Sequence, residues 1–457
     1  MKKQATLTRG LILEILLEVE KGEFSHLVMK SVLDKYSYLE NEDKTFIKRL
    51  ASGCIERRIT LDYIIDQFSK TKANKCKSVI RNILRMGVYQ IYYMDSVPDS
   101  AAVNEAVKLC MDKGFVSLKG FVNGVLRSIS RAERITDFPD STIKYSVGAE
   151  VMAIIKEGIE ANTTLPLEKT DKLNSEMLLD SLLSASLEPA PLYAHVMTSK
   201  IDSDECIKAI GADACAEKSV YFDDALILKN VKALNELSEF VKGNINIQDI
   251  SSMVACALPE IKEGMRVLDL CAAPGGKTFN IADRLNGSGE VISCDLTEAK
   301  TALIEENRDR LGLSNVTIYT ADALSDNRAF EEESFDLIIA DLPCSGLGVM
   351  GRKLDLKYRV SSEDVIGLSK LQREILDKNI KYLKAGGQLL FSTCTITKAE
   401  NIDNFTYIKD TLGLIPVSIE DRLPEQLQGR TGSKGYIQLL PGLDKCDGFF
   451  AALFMKK

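Results

Sequence analysis

Histidine is almost absent from this chain of 457 residues. His26 and His195 are the only two, which leaves little room for His-based catalysis or a His-rich metal site. The eleven cysteines contain no CxxC pair and no regular spacing, so neither a zinc ribbon nor a disulfide framework is indicated. No uninterrupted apolar run approaches the roughly 18 residues that a membrane span requires. Lys2 and Lys3 open the chain, but Glu14 and Glu18 interrupt the apolar stretch behind them, and a secretory signal is not expected. The thiols are then expected to be reduced, in a cytoplasmic protein without a membrane partner. Low-complexity tracts and internal repeats are also missing. A hydrophobic fraction of 45% with 27% charged residues excludes wholesale disorder. The length suggests about three domains, or two with one large.

What is present is unevenly distributed. Residues 1–131 carry 22 Lys/Arg against 15 Asp/Glu, whereas the remainder carries 36 against 51. A small basic module joined to a larger acidic one suggests that the first meets a polyanion, although solvated helix faces give the same charge. Helical periodicity runs through residues 8–131. Ile12, Ile15, Leu16 and Val19 follow i, i+3, i+4, i+7, with Glu14, Glu18 and Lys21 on the other face. The stretch from Val79 to Gln90 keeps that period, with Arg81 and Arg85 one turn apart. Pro98 starts a fresh helix, and Phe121–Arg127 closes an all-α bundle that contains no catalytic constellation.

Residues 132–245 are less regular, and residues 151–250 are acidic, with 9 Lys/Arg against 17 Asp/Glu. Helices are expected near 148–160 and 174–185, and short strands over Leu192–Met197 and Ser219–Leu228. From about 246 the rhythm becomes strand, helix, strand. Arg266–Cys271, Glu290–Asp295, Val316–Tyr319, Phe335–Ala340 and Gly387–Ser392 are the five expected strands. Near-continuous apolar strands alternating with helices predict an α/β fold, a mostly parallel sheet covered on both faces. Ligands of such sheets sit beyond the carboxyl ends of the strands.

Three readings compete for the turn after the first of these strands, Cys271-Ala272-Ala273-Pro274-Gly275-Gly276-Lys277. A P-loop needs glycine five positions before Gly276, where Cys271 stands, and a G-x-G-x-x-G fingerprint is absent. The third is the glycine turn of an S-adenosylmethionine (SAM) site, in which small residues let backbone amides approach the ligand. Asp295 ends the second strand, where a carboxylate can accept both ribose hydroxyls, and Asp322 follows the third, placed for an adenine amino group. Singly each reads equally well as a helix cap or strand-end turn; three successive strand ends together favour the cofactor.

Cys344 and Cys394 follow the fourth and fifth strands, in Asp341-Leu342-Pro343-Cys344 and Ser392-Thr393-Cys394-Thr395. Cys54, Cys76, Cys110 and Cys256 read as inert small hydrophobes, but two thiols at neighbouring strand ends face a cofactor cleft. Methylating cytosine C5 requires making that carbon nucleophilic, which thiolate addition to C6 achieves; amino-group methylation needs no thiol. Asp341 is the candidate for holding the cytosine edge.

These motifs resemble those of the RNA cytosine-C5 methyltransferases. Over the whole chain the resemblance is to the bacterial 16S ribosomal RNA small-subunit methyltransferase B type, with its NusB-like helical RNA-binding domain. Arg85–Gln90, Val97–Ala106, Gly120–Arg127, Leu439–Gly442 and Asp447–Phe450 carry it outside the catalytic motifs. It implies a Rossmann-like SAM-dependent methyltransferase domain over 246–457, preceded by a NusB-like domain over 1–135 and a connecting, RNA-contacting subdomain over 136–245. It implies Cys394 as nucleophile on C6, Cys344 in release of the methylated base, and Asp341 in cytosine binding. It places Cys271, Ala272, Ala273, Pro274, Gly275, Gly276, Lys277, Asp295, Asp322 and Asp341 around SAM. The basic run Arg352, Lys353, Lys357 and Arg359 would meet RNA phosphates, with a solvated helix face as the alternative. The implied partner is 16S rRNA, naked or early in assembly because the base must be unstacked; the implied protein is a monomer without metal.

The chain departs from the family at two places. Val147-Gly148 stands where the family has His-Pro after Tyr145-Ser146, and His195 replaces an arginine within Ala194-His195-Val196-Met197. Both changes lie in the acidic middle region, which in the family contributes to RNA contact, and His195 reads as packed or surface rather than catalytic. Rival functions are a DNA cytosine methyltransferase using Cys344 as nucleophile, a transfer-RNA methyltransferase, and an assembly factor without activity.

Overall fold

A computed structural model describes residues 2–161, 175–211, 213–326 and 329–457. The chain divides into two compact units, Met1–Met152 with Met350–Val360, and Ala153–Val349 with Ser361–Lys457. The division at Met152 differs from the expected boundaries at 135 and 245.

The first unit is all-α. Its main helices are α1 (Lys2–Lys21), α2 (Ser25–Lys35), α3 (Asn41–Glu56), α4 (Arg58–Phe68), α5 (Ser78–Tyr93), α6 (Asp99–Asp112) and α7 (Lys119–Arg131). The periodic apolar positions do what their spacing predicts: Ile12, Ile15 and Leu16 are buried while Glu14 stays exposed. The central helix is α5, where Ile80, Ile83, Leu84, Val88 and Ile91 all enter the core. Each such aliphatic side chain contributes about 1.5–3 kcal/mol on burial. Pro98 stands directly before α6, where its missing N–H costs nothing.

The two arginines of α5 are internal ties. Arg85 pairs in bidentate fashion with Asp62 of α4, both contacts at 2.7 Å, and reaches Glu20 of α1 at 3.5 Å. Arg81 takes the same Glu20 carboxylate. Their charge therefore joins three helices and is spent inside the bundle.

The segment 350–360 belongs to this helical unit. The hydroxyl of Tyr358 sits among the carbonyls of Ile55 and Glu56 (2.9 and 2.8 Å), the amide of Arg58 (3.2 Å) and Ser146 Oγ (2.7 Å). The Arg58 guanidinium lies 4.0 Å over its ring. Gly148 N–H donates to the carbonyl of Lys357 at 2.8 Å, and Ser25 Oγ to Asp355 at 2.5 Å. The Ser146–Gly148 stretch is thus part of the seat for this segment. A cavity of about 190 Å³, lined by Glu20, Cys54, Arg58, Arg85, Asp355 and Tyr358 among others, remains in the unit.

This placement corrects the expected basic run. Arg352 and Lys353 are exposed, but Lys357 is wholly buried and its Nζ has no hydrogen-bond acceptor among the described residues. Arg359 pairs with Asp355 at 3.1 Å, donates to the carbonyls of Gly22 and Glu23, and stacks 4.2 Å over Phe24. Four cations close in sequence do not form one face, because the single helical turn Leu356–Arg359 sends Lys357 inward.

The second unit holds two sheets. The smaller is antiparallel in the order β2-β3-β1-β4, with β1 Leu192–Val196, β2 Cys215–Lys218, β3 Ala225–Lys229 and β4 Ile245–Ile247. Two of these strands were expected; β2 is largely exposed, and β4, Ile-Asn-Ile, is too short for its alternation to stand out. Helices Ala149–Ala161 and Ser175–Ala185 match the expected ones, and Asn174, expected to begin the second, lies outside the described residues. His195 is buried on β1 with Nε2 3.4 Å from Asp224.

The larger sheet runs β10-β12-β9-β8-β5-β6-β7, with β11 beside β12. Its strands are β5 Arg266–Asp269, β6 Glu290–Asp295, β7 Val316–Thr320, β8 Phe335–Asp341, β9 Leu383–Thr393, β10 Ile415–Pro416, β11 Tyr436–Leu439 and β12 Phe449–Met455. Strands β5 to β9 are parallel, and β12 returns antiparallel against β9. Alternation splits its side chains between two cores. Val267, Val291, Leu337, Ile339, Leu390 and Leu453 enter one; Leu268, Ile292, Ile338, Ala340, Leu389, Phe391 and Phe454 enter the other. Burial on both faces is why these strands read as unbroken apolar runs. Tyr193 and Ala225 of the small sheet join the first core, while Ala194, Val196, Leu226 and Leu228 form a separate core with Cys206 and Ile210. Among the described residues no helix is long and apolar enough to cross a membrane.

Burial lowers the Lys357 ammonium from its ordinary 10.5 to about 8, with Glu56 opposing the shift. Below pH 8 folding confines a charge that water would solvate. Between pH 8 and 10.5 the folded protein gives up the proton while the unfolded chain keeps it, so stability rises with pH. Lys357→Met is therefore expected to stabilise the protein at pH 7 by about 1–3 kcal/mol. Urea midpoints measured across this range should show the advantage shrinking toward pH 10; an advantage independent of pH would contradict the assignment.

Candidate active site

The sheet order sets the place of the site. From β5 the chain steps outward to β6 and β7, then crosses back to β8 and β9 on the other side. The reversal leaves a crevice beyond the carboxyl ends of β5 and β8, the position at which open α/β sheets bind ligands.

The turn from β5 into the helix Gly276–Arg284 forms one wall. Gly275 has φ +106°, and a Cβ there would overlap the Phe279 ring, so only glycine fits. The Ala272 amide donates to the Cys294 carbonyl (2.9 Å) and the Ala273 amide to Asp295 Oδ2 (3.0 Å), while Gln248 Nε2 holds the Gly276 carbonyl (3.1 Å). The Ala273–Pro274 bond is cis. Asp295 also accepts from the Leu296 amide (2.7 Å) and from Lys300 Nζ (2.9 Å). Asp322 is exposed after β7, with Oδ1 accepting from the Leu324 amide at 2.9 Å. Cys271 is half-buried in the same turn, and burial pushes its thiol up.

An ion pair spans the crevice. Lys277 Nζ, from the first turn of the helix, lies 2.7 Å from Asp341 Oδ2 at the end of β8. The other oxygen of Asp341 accepts from Ser392 Oγ of β9 at 2.7 Å. Burial works against the lysine charge, but Asp341 and Asp269 outweigh it and hold the ammonium above its ordinary range. Lys277 also lies 4.9 Å from the centre of the Phe449 ring. Beneath it, burial pushes the Asp269 carboxyl up to about 7 despite a 2.8 Å bond from Thr278. Its Oδ1 has no hydrogen-bond partner among the described residues.

The thiols of Cys344 and Cys394 meet at 3.1 Å, although the residues are 50 positions apart. Hydrogen bonding to Cys394, then burial, drives the Cys344 thiol well above its ordinary range, with the charges of Glu400 and Asp341 acting in the same direction. The pair is held by backbone contacts. Gly348 N–H donates to the Cys394 carbonyl (3.1 Å), and Gly448 N–H to the Gly348 carbonyl (2.9 Å). The structure thus brings the glycine turn, Lys277, Asp341 and both cysteines to the carboxyl ends of adjacent strands. Arg352, Lys353, Lys357 and Arg359 belong to the other unit. Sequence reasoning passed over Asp269 as part of this constellation, and Ser392, Glu400 and Gln372 as its supports. The aspartate could have been found by its place at the end of β5; the other three carry no local signal.

A glycine turn, strand-end carboxylates and a parallel sheet reversing at β5 define a Rossmann-like SAM-dependent methyltransferase, joined here to a helical NusB-like unit. Comparison with known proteins narrows the class. A family model described as 16S rRNA methyltransferase RsmB/F matches residues 256–455, and the NusB family model matches 6–131. The probable ribosomal RNA small subunit methyltransferase B of Bacillus subtilis (strain 168) is 34% identical over 466 residues, covering 100% of both chains. Ribosomal RNA small subunit methyltransferase B of Escherichia fergusonii is 28% identical over 463 residues, again covering 100% of both. The crystal structure of PH0851 superposes with a TM-score of 0.75 over 99% of each chain at 22% identity, a likeness of fold. The chain belongs to the 16S rRNA methyltransferase RsmB/F family.

Gly348 is the tightest point of this site, because a Cβ there would overlap the carbonyl of Gly448. Gly348→Ala is expected to cost about 2–4 kcal/mol in urea unfolding and to lower methyl transfer with it. Wild-type stability in this variant would show that the two loops are not closely apposed.

Proposed function

We propose that the protein transfers a methyl group from SAM to C5 of a cytosine in 16S ribosomal RNA through a covalent Cys394–C6 adduct. The observation that carries this reading is the 3.1 Å thiol pair beside the Lys277–Asp341 ion pair. A thiol pair of this kind suits carbon methylation and has no use in methylation of an amino group.

The residues present fit the cofactor. Ala272, Ala273 and Gly275 keep the turn free of bulk, Asp269 Oδ1 offers a buried acceptor for a donor group, and Asp295 and Asp322 are carboxylates at successive strand ends. SAM supplies an electrophilic methyl group. The chain's own residues supply the rest. Asp341, oriented by Ser392 and Lys277, accepts hydrogen bonds from the cytosine edge. Cys394, as thiolate, adds to C6, and the electron pair moves onto C5, which becomes the nucleophile. After transfer, C5 loses its proton, the C6–sulfur bond breaks with its electrons returning to Cys394, and Cys344 assists that release. Because the base must leave its stack to reach the crevice, naked or early-assembly RNA is the favoured substrate.

The test uses labelled SAM with naked 16S rRNA, assembled small subunits and bulk transfer RNA, the product being mapped by cytosine-methylation sequencing. Label at one cytosine of naked 16S rRNA is the expected result; label in transfer RNA alone would keep the chemistry and overturn the substrate. Cys394→Ala is expected to reduce transfer by more than about a thousandfold. Cys344→Ala should instead accumulate a protein–RNA adduct visible on denaturing gels. Full activity of Cys394→Ala would refute the mechanism.

A further inference from the structure

Behind the thiol pair lies a carboxylate that the chemistry above does not use. Glu400 is 0% exposed, and no Lys or Arg forms an ion pair with it among the described residues. Four donors reach it instead. Oε1 accepts from the Ser345 amide (2.9 Å) and from Gln372 Nε2 (3.1 Å); Oε2 accepts from Ser345 Oγ (2.5 Å) and Thr397 Oγ1 (2.7 Å). With its proton directed to Glu400, the Ser345 hydroxyl must accept from Thr395 Oγ1 at 2.7 Å. One carboxylate therefore holds Ser345, next to Cys344, and Thr397, and through the Ser345 hydroxyl it reaches Thr395, which follows Cys394.

A buried charge needs compensation, and two amides in series supply it. Arg373 Nε donates to Asn404 Oδ1 (2.7 Å), Asn404 Nδ2 to Gln372 Oε1 (2.6 Å), and Gln372 Nε2 to Glu400. Both amide dipoles present their positive ends toward the carboxylate, relaying the arginine charge inward. Gln372 Nε2 also donates to the Pro343 carbonyl at 2.8 Å. Cys344 is thus bracketed, through Pro343 on one side and Ser345 on the other, by the Gln372–Glu400 pair. Cys394 is held differently, at the end of β9, with Thr393 Oγ1 on Asn401 (2.6 Å) and its own carbonyl on Gly348.

We propose that Glu400 is a positioning residue for Cys344, fixing the loop that carries it against the loop that carries Cys394 and so setting the thiol separation on which release of the methylated base depends. This rests on the two-cysteine reading given above. The contacts make the proposal specific: Glu400 takes both the amide and the hydroxyl of Ser345 directly, whereas beside Cys394 the Thr395 carbonyl is held by Asn401 and Gln438, so loss of Glu400 loosens Cys344 far more than Cys394.

The experiment compares Glu400→Ala with Glu400→Gln in the full chain. In the glutamine variant the amide oxygen keeps the Ser345 amide and Gln372, while the hydroxyls of Ser345 and Thr397 turn to accept from the new NH2 group. Two quantities are read. One is the fraction of protein trapped as RNA adduct in a single turnover. The other, made without RNA, is the rate at which diamide joins Cys344 to Cys394, its N=N bond taking up the two thiol hydrogens as the S–S bond forms, followed by mass spectrometry of the linked peptides. Glu400→Ala is expected to accumulate adduct, as Cys344→Ala does, and to cross-link about tenfold or more slowly, whereas Glu400→Gln stays within about threefold of wild type. SAM affinity should be unchanged in both. Wild-type adduct resolution and cross-linking in Glu400→Ala would overturn the proposal, as would equal damage in Glu400→Gln, which would assign the effect to charge. Should Glu400→Ala not fold, Ser345→Ala decides, since unaltered cross-linking there also overturns it. If wild type forms no RNA adduct at all, the proposed reaction fails while the diamide rates still judge the positioning role.

Discussion

The ion pair between Lys277 and Asp341 is the contact on which the crevice depends. A lysine that is 8% exposed cannot remain charged without a counter-ion, and Asp341 is held in place by Ser392 at the end of the next strand. One chain of contacts therefore joins the helix after β5 to β8 and then β9, across the point where the sheet reverses. Breaking it would leave a buried charge unpaired, at a cost of about 3–5 kcal/mol. The same pair orients the carboxylate to which the proposed reaction assigns the base, so on that reading recognition and the stability of the sheet reversal rest on the same atoms.

Around this pair the acids are treated in different ways. Asp341 has a full cation; Asp295 has one cation and two amides; Glu400 has dipoles alone; Asp269 is left with an oxygen unsatisfied and a carboxyl pushed up to about 7. Acids that hold loops are satisfied by the protein, and the one beneath the crevice has an oxygen without a partner among the described residues. Cys344 lies between these charges, which favour its protonated form, while Cys394 is its immediate neighbour.

Much of this could be read in the sequence, for reasons that vary by element. Strands β5 to β9 are legible because sheets covered on both faces demand unbroken apolar residues, and the glycine turn is legible because its steric demand admits few side chains. The same run of Phe449 to Phe454 is just as apolar, yet its antiparallel return beside β9 depends on a partner more than 50 residues earlier in the chain. Pairings at long range are the common cause of what stayed hidden. Arg81 and Arg85 look like surface charge until Glu20 and Asp62 arrive from other helices, and Lys357 looks like a phosphate contact until one helical turn points it inward. Glu400 has an ordinary setting in sequence, and its importance comes wholly from four donors on three separate segments.

The excursion of residues 350–360 has a consequence for the order in which the molecule can be made. Most of the helical unit precedes residue 153, yet the residues that complete it, Asp355 to Arg359, are encoded about 200 positions after its last helix. A nascent chain emitting 5–20 residues per second supplies them only some 10–40 s after the first seven helices have appeared. Until then the seat formed by Ile55, Glu56, Arg58 and Ser146 stands open, and the helical unit is a bundle awaiting its closing piece. Because that piece follows Cys344 by a handful of residues, the N-terminal unit is finished only after the Pro-Cys loop of the catalytic unit has been synthesised. Birth order and assembly order are thereby interlocked.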